Sequence, residues 1–288
     1  MSVYEANIEL TFPAHLPGIA NALDNTPGVY IFFDKQHYPL YIGKSNQVKS
    51  RVLSHYREFG RIPRKTKLIL QTDSIKHYPT AGSFTALFKE AELIKKFLPL
   101  YNKRLRQSKN YYTIKINTEN KVEFCQGIDL GDLENHYGIF ANLQSAKETL
   151  IQLAEKTPVC KKLCGLSSTA PCFSNQLNRC QHSCGSIDFK KRHRHLLETH
   201  LAEIRLKHWP YPGHALAIKE THLPTHKTQY ILLYQWCYLG LAEALSDISA
   251  LLQEKKQRKF DKNYYQLSVA LFNQIDKYTS TLFPIDVF

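Results

Sequence analysis

Two short apolar segments near the start of the chain, joined by a polar link, constrain its fold more than any other stretch. Residues 28–30 read Gly-Val-Tyr and residues 41–43 read Tyr-Ile-Gly, each within a run of β-branched and aromatic residues. The link between the runs is polar and ends at Pro39. This pattern predicts a β-hairpin. Because strand side chains alternate between faces, Tyr30 and Tyr41 can project from one surface of that hairpin.

Two helices are predicted to follow the hairpin. Residues 46–58 place apolar side chains at helical spacing, with polar side chains between them. Ser83 is the predicted N-cap of a second helix, which Pro99 terminates. Glu90 flanks the apolar stripe of that helix, so we expect its carboxylate beside the buried face. The first part of the chain is therefore predicted to be a small sheet with helices against it.

The hairpin and the helices carry seven residues that together resemble the signature of the GIY-YIG nuclease family, in particular the bacterial repair nuclease UvrC. In that family the order is Tyr, Tyr, Lys, Arg, an aromatic residue or His, Glu and Asn. UvrC often has Tyr at the fifth position, and because Tyr56 lies next to His55, the sequence leaves that role open between them. The residues that the resemblance implies to be catalytic are Tyr30, Tyr41, Lys44, Arg51, His55, Glu90 and Asn102.

The chemistry that the resemblance implies is hydrolysis of a phosphodiester. This reaction requires an activated water, neutralisation of phosphoryl charge and stabilisation of the leaving oxygen. A single carboxylate, Glu90, is able to hold one divalent Mg²⁺ or Mn²⁺ ion that keeps its waters and binds substrate phosphate. Arg51 offers a bidentate fork to a phosphate. The resemblance implies that Tyr30 is the general base, with Tyr41 and His55 positioning water and phosphate.

A tyrosine base needs a lowered pKa, because a free tyrosine titrates near pH ~10. We predict that Lys44 and the bound metal ion lower the pKa of Tyr30 by favouring the phenolate. Taken one at a time, these residues have ordinary structural explanations. Tyr30 or Tyr41 alone is typical of a half-buried strand aromatic, and Glu90 alone of a solvated helix charge. The seven positions taken together favour a nuclease.

The charge of the chain suits a polyanionic partner. There are 38 Lys and Arg residues against 25 Asp and Glu residues, and the net charge is +13. Each basic run alone is explained by a solvated surface, but four runs spread along the chain favour a long footprint on DNA. The runs comprise Arg61, Arg64, Lys65 and Lys67; Lys103, Arg104, Arg106 and Lys109; Lys190, Lys191, Arg192 and Arg194; and Lys255, Lys256, Arg258 and Lys259.

Five of the seven cysteines are clustered between residues 160 and 184, which in a cytosolic chain indicates metal binding rather than disulfides. The spacing of four of them resembles the cysteine region of UvrC, and this resemblance implies a 4Fe–4S iron–sulfur cluster. Zinc is one alternative and metal-free apolar packing is another. Cys164 is surplus to the pattern and either replaces Cys160 or is a small buried thiol, while Cys125 and Cys237 are expected in the core. The implied cluster ligands are Cys160, Cys172, Cys180 and Cys184.

The predicted fold class is α+β, in four parts. These are a small GIY-YIG α/β nuclease domain (16–105), a hairpin and helix connector (106–157), the cysteine cluster (158–186) and a mixed α/β C-terminal region (187–288).

Regular elements are also predicted beyond the nuclease domain. In the connector, residues 111–116 and 121–126 form a hairpin, and a capping box that starts at Ser145 opens a helix that ends before Pro158. Further predicted elements are helices over 188–207, 242–255 and 263–277 and strands over 215–218, 230–234 and 236–239.

Over its whole length the chain resembles the Cho family of short UvrC homologues, since only about a hundred residues follow Cys184. The resemblance implies an excinuclease of nucleotide excision repair that cuts damaged double-stranded DNA only on the 3′ side of a bulky lesion. Because nothing in the chain resembles a lesion reader, the damage would be presented by UvrB, loaded by UvrA.

Two other functions stay open. One is a structure-selective junction nuclease that works without UvrA and UvrB, although the RING zinc finger of the eukaryotic kind needs paired ligands that this chain lacks. The other is an inactive DNA-binding adaptor, against which the intact Tyr30, Arg51 and Glu90 argue.

The start of the chain and its apolar runs bear on location. The first ten residues contain Glu5 and Glu9 but no Lys or Arg, so no signal peptide is expected. The longest apolar runs fall far short of a membrane span. These features predict a cytoplasmic protein with no membrane partner.

Overall fold

A computed structural model of the chain describes residues 11–105, 111–128, 133–167, 186–253, 260–274 and 281–286. The described elements mix helices with antiparallel sheets, which confirms the predicted α+β class. In chain order they are α1 (Leu16–Asn21), β1 (Gly28–Phe33), β2 (Pro39–Ser45), α2 (Val48–Arg57), α3 (Pro63–Gln71), β3 (Ser74–Pro79), α4 (Ser83–Phe97), β4 (Tyr112–Ile116), β5 (Val122–Gln126), β6 (His136–Phe140), α5 (Leu143–Lys156), α6 (Ile187–Leu201), β7 (His214–His222), β8 (Lys227–Tyr234), β9 (Cys237–Ala242), α7 (Ser246–Gln253), α8 (Lys262–Phe272) and β10 (Thr281–Asp286).

These elements form two compact units. The first unit combines residues 1–107 with residues 211–288, and the second comprises residues 108–210. The four-part division made from the sequence, with boundaries after residues 105, 157 and 186, stays a prediction. Among the described helices, none combines the length and the apolar content that crossing a bilayer requires.

The predicted hairpin forms β1 and β2, and β1 is the centre of a sheet with the order β2-β1-β3. All six residues of β1 are buried, because helices cover both faces of the strand. Tyr30 and Phe32 face the apolar cluster that α2 and α3 contribute to. Val29 and Ile31 face the cluster that includes the buried side of α4. The strand therefore reads as a continuous apolar run rather than as an alternating one.

A second sheet of the first unit, with the order β10-β7-β8-β9, lies with α8 against the other side of α4. Phe88 of α4 is fully buried, and its ring centroid is 5.1 Å from that of Tyr238 in β9. The Phe88 ring also stacks on Tyr264 of α8 at 6.2 Å. Lys95 forms an ion pair of 2.7 Å with Asp261, which precedes α8. Helix α4 is thus packed between two sheets.

The first turn of α4 differs from the prediction. The N-cap is Gly82 and not Ser83, so no side chain at that position can accept a hydrogen bond from the first turn. The carboxylate of Glu220 in β7 takes this role: it accepts from the backbone N–H groups of Phe84 at 3.2 Å and Thr85 at 2.7 Å. A distant strand therefore supplies the acceptor that a local N-cap usually provides.

The second unit contains a sheet with the order β5-β4-β6, whose apolar side packs against α5 and α6. The predicted hairpin of residues 111–126 is confirmed by β4 and β5. Helix α5 begins earlier than predicted, because Asn142 is its N-cap and accepts from the Ser145 N–H at 2.8 Å. Helix α6 ends at Leu201 rather than at residue 207, since Arg205 already pairs with Tyr137 of β6.

Candidate active site

Pairing of β1 with β2 places Tyr30 and Tyr41 on one face of the sheet. Tyr30 pairs with Gly43, and Tyr41 pairs with Phe32. Opposite residues of an antiparallel pair project to the same side, and the two tyrosine ring centroids are 6.2 Å apart. A Cβ atom at position 43 would lie 2.5 Å from the Tyr30 hydroxyl oxygen. Gly43 therefore leaves the space that the hydroxyl occupies.

Helix α2 brings His55 and Arg51 to the same face, one turn apart. His55 is fully buried, and its Nε2 atom lies 2.8 Å from the Tyr30 hydroxyl oxygen. The guanidinium of Arg51 is exposed, and its positive charge acts on the hydroxyl of Tyr30. Burial, together with the charges of Lys65 and Arg51, lowers the pKa of His55 to about 3. The imidazole is therefore neutral at physiological pH.

The neighbouring Tyr56, which the sequence left as an alternative to His55, points elsewhere. Its hydroxyl donates to the backbone carbonyl of Leu16 at 3.2 Å, and its ring packs edge-on against Phe12. Burial raises the pKa of Tyr56 well above its usual value. Of these two neighbouring residues, it is therefore His55 that contacts Tyr30.

The protonation of Tyr30 differs from the expectation. Burial raises its pKa far above the usual value for tyrosine, and Tyr41 and Glu90 raise it further. The charge of Arg51 lowers the pKa of Tyr30. Lys44, which the sequence predicted to act on Tyr30, acts instead on the carboxylate of Glu90. The reason is position: Lys44 follows Gly43 on β2 and lies at the side of α4.

Glu90 projects from α4 toward the end of β2. Burial raises the pKa of its carboxyl group to about 7, and the Lys44 charge and a hydrogen bond from the Lys44 backbone N–H act against this rise. No group of three or more His, Cys, Asp or Glu side chains within the described ranges could hold a metal ion. A lone carboxylate still fits a hard divalent cation that retains several waters and binds substrate phosphate.

Asn102 lies on the outer edge of β2, not over the tyrosines. Its Oδ1 atom accepts from the Ile42 N–H at 2.9 Å, and its Nδ2 atom donates to the Ile42 carbonyl at 2.8 Å. The amide thus imitates a neighbouring strand and satisfies the backbone between Tyr41 and Gly43. This geometry gives Asn102 a positioning contact with the hairpin.

Two residues at the site were missed by sequence reasoning. Lys65 was grouped with a basic run, but its Nζ atom lies 2.6 Å from His55 Nδ1 and 3.2 Å from Glu58 Oε2. In the same run, Arg64 donates to the Tyr101 carbonyl. Helix α3 was not predicted, so no sequence signal indicated that residues 63–71 turn back toward α2.

The cysteine cluster is only partly described. Cys172, Cys180 and Cys184 lie outside the described residues, whereas Cys160 and Cys164 are both buried. Cys164 belongs to the apolar core of the second unit, where burial raises the pKa of its thiol to about 12. Cys164 is therefore a protonated core thiol, in line with one of the two possibilities that its surplus position left open.

Three family models match successive parts of the chain. The UvrC-like GIY-YIG domain matches residues 26–103, a segment that contains all seven predicted site residues. The middle domain of the UvrC/Cho excinucleases matches residues 111–203. The C-terminal domain of excinuclease Cho matches residues 215–281.

Individual relatives agree with this order. Excinuclease Cho of Escherichia coli K12 is 34% identical over 269 residues, which cover 92% of this chain and 88% of that protein. UvrABC system protein C of Methanothermobacter thermautotrophicus is 31% identical over 179 residues, or 61% of this chain and 30% of that protein. A crystal structure of the GIY-YIG N-terminal endonuclease domain of Thermotoga maritima UvrC, bound to magnesium as its catalytic divalent cation, is 28% identical. It covers 31% of this chain and 98% of that chain, with a TM-score of 0.29.

Proposed function

The chain belongs to the excinuclease Cho family, and we propose that it cuts damaged double-stranded DNA once, 3′ to a bulky lesion, where UvrA has loaded UvrB. Membership confirms the resemblance inferred from the seven residues. It also identifies the chain as a UvrC-like GIY-YIG endonuclease of DNA repair. The side of the incision and the part played by UvrB are the proposal.

The observation that carries this proposal is the cluster of polar groups on the hairpin face. The neutral His55 contacts the hydroxyl of the buried Tyr30, and the charge of the exposed Arg51 acts on the same group. One carboxylate, Glu90, lies beside them. All seven predicted residues lie within residues 26–103, the segment that the UvrC-like GIY-YIG model matches, and this supports the proposal. One active site of this kind supports one incision for each binding event.

Each side chain has a task that follows from its geometry. The exposed Arg51 guanidinium binds a phosphate oxygen of the scissile strand, while its charge favours the phenolate form of Tyr30. Tyr30 must first lose its own hydroxyl proton to solvent, and the resulting phenolate then takes the proton of the attacking water. The positive charge of Arg51 and a hydrogen bond from His55 stabilise that phenolate against the cost of burial. Tyr41 orients the water from the same face of the sheet. Mg²⁺ or Mn²⁺, bound through Glu90, would supply Lewis-acid charge for the phosphoryl oxygens.

The test is an incision assay on a duplex with one bulky adduct, labelled at the 5′ end of the damaged strand in one sample and at its 3′ end in another. With UvrA, UvrB and Mg²⁺ present, we expect a single nick on the 3′ side of the adduct. Paired 5′ and 3′ cuts would contradict the proposal. Equal nicking of undamaged duplex without UvrB would instead indicate a structure-selective nuclease.

Variants separate cutting from binding in the same assay. Glu90→Gln keeps the shape of the side chain but removes the charge that a metal needs, and Tyr30→Phe removes only the hydroxyl. We expect each to cut at least about a hundredfold more slowly and to bind the loaded duplex almost as well as the native protein. Cutting at the wild-type rate by either variant would show that the altered residue is not part of the active site.

We also propose that Cys160, Cys172, Cys180 and Cys184 hold a 4Fe–4S cluster. The proposal is supported by their spacing and by four thiolates being a suitable ligand set for such a cluster. Within the described residues, the buried Cys160 fits the role better than Cys164, whose protonated thiol is already part of the core. Zinc is the alternative occupant.

Metal analysis tests this assignment. Protein purified without oxygen should be brown and contain iron, and replacing Cys172, Cys180 or Cys184 by Ala should bleach it. Cys164→Ala is the matched control and should retain the iron while losing some stability, because it leaves a small cavity. Zinc without iron under the same handling would overturn the assignment.

A further inference from the structure

We propose that Lys65 is a positioning residue that selects the tautomer of His55 and thereby directs an N–H group at Tyr30. The inference rests on the proposed function of Tyr30, but the tautomer can be measured without any cleavage reaction. Lys65 is one of the two residues that the sequence did not connect with the site, and it contacts His55 and Glu58.

The argument begins with what an ammonium group can do. Lys65 Nζ lies 2.6 Å from His55 Nδ1, and an ammonium group donates hydrogen bonds but accepts none. His55 Nδ1 must therefore accept. A neutral imidazole carries its one proton on the other nitrogen when one nitrogen accepts, so the proton is on Nε2.

The second step concerns the direction of the bond to Tyr30. His55 Nε2 is 2.8 Å from the Tyr30 hydroxyl oxygen, and with the proton on Nε2 the histidine is the donor. The tyrosine oxygen then receives an N–H group from His55 and lies in the field of the Arg51 charge, and both favour negative charge on that oxygen. With the opposite tautomer, Nε2 would instead hold the tyrosine proton in place and oppose its loss.

The third step is that Lys65 is itself held in place. Glu58 Oε2 lies 3.2 Å from Lys65 Nζ, and the two side chains are 37% and 26% exposed. The contacts therefore run in a line from the carboxylate of Glu58, whose Oε2 atom is buried, through the ammonium group and the buried imidazole to the phenol.

Direct measurement of the tautomer tests the inference. In full-length protein labelled with ¹⁵N at histidine, the His55 signals, assigned by their loss in His55→Gln, should show protonated Nε2 and unprotonated Nδ1. Lys65→Met removes the donor and should produce a mixture of tautomers, whereas Lys65→Arg keeps a donor and should restore the native pattern. A proton on Nδ1 in the unaltered protein would overturn the inference, whatever the variants do.

Kinetics give the second readout. Lys65→Met should lower kcat for lesion cleavage about tenfold, as outer partners of catalytic groups commonly do, with KM for DNA little changed, and Lys65→Arg should recover most of the loss. The matched control is Lys227→Met, which removes the same charge and an ion pair of 3.0 Å to Glu243 from the second sheet, and should cut normally. If Lys227→Met is equally slow, or if Lys65→Met changes the spectrum but not kcat, Lys65 does not position the site.

Discussion

The residues around Tyr30 show how burial decides protonation in this site. His55 is held neutral, Tyr30 is held as a phenol, and the pKa of Glu90 is raised to about 7, in each case chiefly because burial disfavours the charged form. Arg51 and Lys44 act against burial at Tyr30 and Glu90 respectively. The site therefore needs additional positive charge, from metal or substrate contacts, before both acids are ionised.

Metal binding should depend on pH around neutrality. A carboxyl group with a pKa of about 7 is ionised roughly ten times more completely at pH 8 than at pH 6. Because only the ionised form of Glu90 binds the metal, the Mg²⁺ concentration that gives half-maximal cleavage should be about tenfold higher at pH 6. Titrating Mg²⁺ at both pH values measures this. An ordinary carboxylate would give nearly the same midpoint at both.

His55 should make folding stability depend on pH. The unfolded chain takes up a proton at this residue below about pH 6.5, but the folded protein does so only near a pKa of about 3. The stabilising contribution is therefore present above pH 6.5 and is lost as the pH falls. Between pH 8 and pH 5 the free energy of unfolding of the native protein should fall by about 2 kcal/mol because of this residue. The His55→Gln variant should not show that decrease. Urea unfolding at both pH values compares them, and equal losses would contradict the assignment.

At the scale of elements, α4 joins Glu90, the carboxylate proposed to bind the metal, to the second sheet of the first unit. One side of the helix packs on β1 and the other carries Phe88 against Tyr238 and Tyr264. Glu220 accepts three hydrogen bonds at the start of the helix, from the Phe84 N–H and from the N–H and the hydroxyl of Thr85. A carboxylate is favoured there because the helix N-terminus carries partial positive charge.

Removing this carboxylate tests how far the second sheet stabilises α4. Glu220→Ala leaves N–H groups of the first turn without their acceptor, and we expect it to lower the free energy of unfolding by about 2 kcal/mol. Chemical denaturation followed by fluorescence measures the change. Glu119→Ala, which breaks an exposed pair with Lys121, should change stability by less than about 0.5 kcal/mol. Equal effects would show that the Glu220 contacts contribute little.

The elements that the sequence predicted were those with a strong local pattern. The apolar runs of β1 and β2 and the apolar stripe of α4 are visible in consecutive residues. Strands β3, β6 and β10 were missed, because each is an edge strand with weak patterning, and β10 also contains Pro284, which only an edge tolerates readily. The Ser83 cap was wrong for a different reason, since its replacement, Glu220, is far away in the sequence.

The residues of the candidate site likewise divide into those with a recognisable sequence pattern and those without one. Tyr30, Tyr41 and Glu90 could be predicted because their residue types and order form a recognisable motif. Lys65 could not, because a lysine on a helix that was itself unpredicted looks like any solvated charge. Which charged residue acts on Tyr30 also depends on tertiary structure. The strand register directs Lys44 toward Glu90, and Arg51 acts on Tyr30 instead.

At the scale of the whole molecule, the net charge of +13 predicts DNA binding that carries no sequence information. Affinity for undamaged duplex should fall roughly a thousandfold between 50 and 200 mM salt, as expected for about six phosphate contacts. Lys103→Gln, at an exposed position next to Asn102, should reduce the slope of log K against log salt by about one. Lys227→Gln is the control with an unchanged slope, and no salt dependence at all would exclude a charge-driven footprint.

The discontinuous first unit has a consequence for how the protein is made. Its two stretches are residues 1–107 and 211–288, so a ribosome completes the whole second unit before the first can close. Until then, the side of α4 that carries Phe88 has neither β9 nor α8 to pack on. The nascent chain thus carries every residue of the candidate site long before the helix holding Glu90 is fully enclosed. Synthesis itself delays the packing of this side of α4 until β9 and α8 have emerged.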